Sequence, residues 1–175
     1  MHFFKRIKVF FRTRKLKKCG KTSFISKNCC FQGGKNISVG ERCHIGQGAF
    51  FVSTRANIII KDDVVFGPFV MIYTGDHPLD ILGKHISEIS DKDKTSGRYD
   101  EDVLIESGCW IGARAIILKG VKIGRGSVVG AGSIVTKSIP PYSIYTGVPS
   151  KKVRSRFNEE EIKTHEQLLK KRGKL

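Results

Sequence analysis
One repeat limits the fold of this chain more than any other feature. Over residues 103–141, VLIESGCWIGARAIILKGVKIGRGSVVGAGSIVTKSIPP, an aliphatic side chain returns at every sixth position: Ile105, Ile111, Ile117, Ile123, Val129 and Val135. Glycine follows three of them, at Gly112, Gly124 and Gly130, and a small residue stands four places after each of the first five, at Cys109, Ala115, Val121, Ser127 and Ser133. The pattern recurs less cleanly upstream at Val39, Ile45 and Phe51, then slips by three to Ile60, Phe66 and Ile72, with Ile25 and Phe31 as candidates for its start. Such a period describes a coil of short strands. One residue per hexad points inward and stacks on its equivalents in neighbouring turns, while glycine and small residues let the backbone bend between strands.

The coil needs ends. Pro140-Pro141 stops it above, and NEEEIKTHEQLLKKR, residues 158–172, reads as a helix with its acids early and its cations late, as the helix dipole prefers. The residue just before each inward position faces outward. That slot holds Val65, Met71, Trp110, Ile116, Val128 and Ile134, too apolar for open solvent, so a partner subunit is expected to cover it. After Ile72 the rhythm stops. His77 occupies the next outward slot, and the hexads resume only at Val103, leaving a charged, turn-rich loop over 78–102.

These hexads, the CWIGARAIILKGVKIGRGSVVGAGSIVTKSIPP run and the Gly147-Val148-Pro149 exit resemble the hexapeptide-repeat acyltransferases, in particular the maltose/galactoside and bacterial polysaccharide O-acetyltransferases. The likeness covers roughly 25–157. It implies an all-β solenoid, a left-handed parallel β-helix shaped as a triangular prism with a protruding loop, assembled as a homotrimer. It also implies acetyl-CoA as cosubstrate, without a metal, and a sugar or glycan hydroxyl as acceptor, with N-acetylation of an amino sugar or xenobiotic as the alternative. By the same likeness His77, which precedes a proline as the family's catalytic histidine does, is the general base. Imidazole titrates near neutrality and suits removal of an alcohol proton. The amide of Ala113 is the expected oxyanion donor. Ala131, Thr136, Lys137, Lys151 and Arg154 map onto coenzyme A contacts, Lys151 standing where arginine is common. Trp110 either plugs the junction or lines the pantetheine groove. Acceptor contacts are expected from Tyr73, Asp76 and Asp80, with His85 a weaker candidate; His44 reads as structural.

A carbonic anhydrase on the same prism needs three histidines; His77 and His85 are eight apart with no companion in 103–150. A non-catalytic scaffold should lack both His77 and the exit motif. Five cysteines without a CxxC pair suit a reduced, cytoplasmic setting and no zinc site.

Charge is concentrated at the ends. Of the net +16, residues 1–21 carry +9, residues 151–175 carry +5 and the middle only +2. Phe3, Phe4, Ile7, Phe10 and Phe11 form one stripe of a helix with basic residues mostly opposite, which reads either as a cap on the coil or as an arm for an anionic membrane surface through residues 1–18. The expected organisation is therefore a basic amphipathic segment over 1–21, the β-helix over 22–157 and the C-terminal helix over 158–175.

Overall fold
The computed structural model describes residues 15–94 and 97–175. The phenylalanine stripe expected over 1–14 lies outside them. Among the described residues, the strands fall into three sheets. The first face joins Lys18–Cys19, Ile37–Val39, Ile58–Ile60, Val103–Ile105 and Lys122–Ile123. The second joins Phe24–Ile25, His44–Ile45, Val65–Phe66, Trp110–Ile111, Val128–Val129, Ser143–Thr146 and Lys151–Ser155. The third joins Cys30–Gln32, Phe50–Val52, Met71–Tyr73, Ile116–Ile117 and Ile134–Val135. Successive strands visit the three faces in turn, and pairing within each face is parallel except for the last hairpin. This is the expected left-handed parallel β-helix.

The hexads account for the register. On the first face Val39, Ile60, Ile105 and Ile123 are Cα partners in sequence. On the second, Ile25, Ile45, Phe66, Ile111 and Val129 stack; on the third, Phe31, Phe51, Ile72, Ile117 and Val135. All except Phe31, which lies on the first strand of its face with its ring 5.4 Å from that of Phe51, are at most 2 % exposed. Burial of one such side chain stabilises the fold by about 1.5–3 kcal/mol, so three inward residues per turn hold the coil without a second layer. Corners are tight: a Cβ on Gly112 would meet the Ala131 nitrogen at 2.5 Å, and one on Gly67 the Ala113 nitrogen at 2.5 Å.

The slip of three is absorbed at a corner rather than in a strand. Three extra residues, Thr54, Arg55 and Ala56, bulge between Phe50–Val52 and Ile58–Ile60, so the inward stack is preserved. The 3₁₀ turn Gly34–Asn36 takes up two more at an earlier corner. One boundary moves. Lys18–Cys19 already pairs with Ser38–Val39, so the coil includes residues assigned above to the basic segment. The C-terminal helix, Glu159–Lys171, is capped by Asn158, whose side chain accepts from the Glu161 N–H at 2.8 Å while Glu161 accepts from the Asn158 N–H at 2.8 Å. The long loop leaves the corner between the third and first faces and carries three single 3₁₀ turns, Ile86–Glu88, Asp91–Asp93 and Gly97–Tyr99.

Candidate active site
The loop is zipped at its base. Gly75 bridges Asp100 in antiparallel fashion, the Asp76 N–H donates to the Tyr99 carbonyl at 2.9 Å, and the Glu101 N–H donates to the Thr74 carbonyl at 2.8 Å. His77 is the residue just past this clasp. It is exposed, while Pro78 beside it is buried and fixes the chain direction. The break in the hexads thus places an accessible imidazole on a rigid corner of the prism.

At the same corner, extending to the turns above, opens a groove of about 450 Å³, lined by Tyr73, Asp76, Glu101, Leu118, Lys119 and Thr136. Tyr73 is partly buried, its hydroxyl 3.7 Å from the Met71 sulfur and its ring 6.3 Å from that of Phe50. The Lys119 ammonium lies 3.0 Å from Glu101 Oε1 and 3.7 Å from Asp76 Oδ2, and also donates to the Arg98 carbonyl. Sequence reasoning missed Lys119. The available signal was its place two residues past inward Ile117, which stacks directly on Ile72 and so lies above the acidic base of the loop.

The other acceptor candidates divide. Asp76 lines the groove, but both carboxylate oxygens of Asp80 are already engaged, by the Tyr99 hydroxyl at 2.6 Å and by the Arg98 guanidinium. Those hydrogen bonds, Tyr99 first, hold the Asp80 carboxyl below its ordinary range. Asp80 therefore closes the loop on itself. His85 sits further along the loop, exposed, with its backbone N–H donating to Glu88 at 2.7 Å. His44 belongs to the outward column of the second face, its ring 5.2 Å from Phe24.

Of the residues expected on the donor side, Thr136 lines this groove and the others lie elsewhere. Ala113 occupies the corner between the second and third faces. Its neighbours feed the ladder, Gly112 donating to Val129 at 2.8 Å and Arg114 to Pro68 at 2.9 Å, and its carbonyl accepts from Gly132 at 2.8 Å. Among the described residues, no carbonyl accepts from the Ala113 N–H. Ala131 is exposed one turn above, and Trp110 projects from the second face, 55 % exposed, between Val65 and Val128. Thr136 and Lys137 are exposed at the corner above the loop. Lys151 and Arg154 lie on the final strand, opposite Thr146 and Ile144, and are exposed.

His77 and Ala113 thus stand on opposite edges of the third face. The strands of that face, Met71–Tyr73 and Ile116–Ile117, run between those two edges. Among the described residues, no three His, Cys, Asp or Glu are grouped to hold a metal ion, and no helix is long and apolar enough to cross a membrane.

Comparison with known proteins adds further likenesses. The hexapeptide repeat of succinyl-transferase family matches residues 102–137. Galactoside O-acetyltransferase of Lactococcus lactis subsp. lactis (strain IL1403) is 35 % identical over 151 residues, 82 % of this chain and 68 % of that protein. Chloramphenicol acetyltransferase of Escherichia coli is 36 % identical over 126 residues; the match takes in 72 % of this chain but only 54 % of that enzyme's length. A hexapeptide-repeat acetyltransferase of Vibrio cholerae, solved with acetyl coenzyme A, superposes with a TM-score of 0.70 at 28 % identity, over 87 % of this chain and 78 % of that one.

Proposed function
The chain belongs to the hexapeptide-repeat acetyltransferases, and from that membership we propose that it transfers acetyl from acetyl-CoA to a hydroxyl of a sugar or surface polysaccharide. The observation that carries this reading is the pairing of an accessible His77, beside a polar groove, with an Ala113 amide that the ladder leaves free. His77 takes the proton of the acceptor hydroxyl as that oxygen attacks the thioester carbonyl. It returns the proton to the coenzyme A sulfur as the carbon–sulfur bond breaks. The Ala113 N–H faces the carbonyl oxygen while negative charge builds there.

Because His77 and Ala113 lie on different edges, the working site is formed where an edge of one prism meets an edge of another, in a homotrimer. The apolar outward residues Val65 and Trp110, 44 % and 55 % exposed in the single chain, favour such a contact. Acetyl-CoA would run along that junction past Ala131, Thr136 and Lys137, with Lys151 and Arg154 on its phosphates. Tyr73 and Asp76 would hold the acceptor. Acetyl-CoA turnover against a panel of free sugars, glycan oligomers and chloramphenicol, with the product's acetyl position mapped by NMR, tests the reading. Ester formation on a sugar hydroxyl supports it. Transfer confined to an amine overturns it. The match to chloramphenicol acetyltransferase favours a xenobiotic as the second acceptor class. We further propose that the basic residues before the coil hold the assembly against an anionic membrane.

A further inference from the structure
One corner of the prism differs from the other two. Between the first and second faces, successive turns place Arg42, Asp63, Gly108, Gly126 and Tyr142 in one column, all with φ between 51° and 73°. Ladder bonds join them: Asp63 donates to Glu41, Gly108 to Asp62, Gly126 to Ser107 and Tyr142 to Arg125. Side chains fill the column below and above, the Tyr142 ring lying over Gly126, where a Cβ would meet it at 2.5 Å, but beside Gly108 the nearest atom to such a Cβ is 3.9 Å away and the column is open.

The C-terminal helix and tail cover this gap. Lys174 pairs with Asp63 at 3.1 Å, and Glu166 Oε1 accepts from the Tyr142 hydroxyl at 3.1 Å and pairs with Arg125 at 3.4 Å. Beneath them remains a cavity of about 250 Å³. Four cationic side chains line it, Arg125, Arg156, Arg172 and Lys174, against one acidic side chain, Asp63. Asp63 is already taken by the Arg42 fork, at 2.8 and 2.7 Å, as well as by Lys174. Arg156 spends one N–H on the Gly126 carbonyl at 2.9 Å. The Arg172 guanidinium has no partner among the described residues, although a guanidinium carries five donors.

We propose that this cavity is a binding site for a phosphate group, separate from the acetyl-transfer site. Several guanidinium donors lining one cavity suit a tetrahedral oxyanion, and the open backbone at Gly108 lets an oxygen approach closely. The volume is below the roughly 300–1,000 Å³ of sites for larger ligands, so a small anion fills it better than a whole coenzyme would. The cations come from both bodies: Arg125 and Arg156 from the prism and its hairpin, Arg172 and Lys174 from the end of the helix. A bound phosphate therefore ties the helix to the coil.

Calorimetric unfolding of the full chain in inorganic phosphate, titrated against chloride at fixed ionic strength, tests this. The melting temperature should rise saturably with phosphate, as for a ligand that binds only the folded state. Arg172→Gln should leave the melting temperature in chloride unchanged and raise the apparent Kd for phosphate by about tenfold or more, the loss of a charge-assisted fork. Lys151→Gln/Arg154→Gln should keep the phosphate response. Absence of a saturable rise overturns the proposal, as does an equal rise in Arg172→Gln. A response lost in Lys151→Gln/Arg154→Gln but kept in Arg172→Gln places the anion on the hairpin and also overturns it. Glycerol 3-phosphate in place of phosphate separates the sources: tighter binding, still lost in Arg172→Gln, assigns a phosphomonoester, and weaker binding assigns free phosphate.

Discussion
At the scale of single residues, the proposed chemistry rests on His77. His77→Ala should lower kcat by roughly 10²–10⁴, the usual contribution of a general base, while acetyl-CoA binding measured by calorimetry stays near wild type. Lys137→Ala and Arg154→Ala should instead raise the KM for acetyl-CoA and leave the acceptor's KM little changed. Near-normal turnover in His77→Ala would sink the assignment. The cysteines give a second residue-scale test. Burial pushes the Cys109 thiol up to about 12 and raises that of Cys43 as well, so both stay protonated at pH 8, where only a thiolate reacts quickly. Cys30 is exposed. Iodoacetamide at pH 8 should modify Cys30 first and reach Cys43 and Cys109 only after unfolding, as peptide mass spectrometry would show; equal labelling of Cys30 and Cys109 would mean that the coil opens in the native state.

At the scale of elements, the coil and the place of the loop were legible in the sequence, and the contacts that hold the loop were not. Inward residues such as Ile111 and Ile117 repeat at a fixed interval because each turn has the same length, so a one-dimensional count finds them. The slip of three was visible, but its use was not. Arg55, in the corner bulge, donates to the Asp91 carbonyl at 2.8 Å and pairs with Asp100 at 3.6 Å, a contact 45 positions away that no periodicity announces. The hydrogen bond to Asp80 was hidden for the same reason, its partner Tyr99 being 19 positions on. The extra corner residues thus anchor the loop that presents His77. Arg55→Ala should speed hydrogen exchange over residues 84–100 while leaving protection of the inward strands unchanged. Loss of protection in a coil strand such as Val103–Ile105 would instead make Arg55 part of the coil's own stability.

At the scale of the molecule, the proposed meeting of His77 and Ala113 across two prisms would make assembly a condition of activity. Sedimentation should give a trimer at micromolar concentration; a stable, active monomer would remove the proposed site. The basic segment is tested by deletion, and the pairing of Lys18 with Ser38 fixes where the cut must stop. Removing residues 1–14 should abolish salt-sensitive binding to anionic liposomes and leave the trimer intact. Unfolding of the truncated chain would show that the segment caps the coil.

The stacking of like turns also fixes how such a molecule can change size. Its cross-section is set by three short strands and its height by the number of turns, in steps of about 4.8 Å. One complete turn inserted below the loop, between Ile25 and Val39, would lengthen the shaft and leave every relation between His77, Lys119 and Thr136 untouched. The same insertion between Ile105 and Val135 would carry Thr136 a step away from Asp76 and split the groove. Growth is therefore free at one end and forbidden at the other, and lineages of this architecture should differ in length at the end away from the reacting groups.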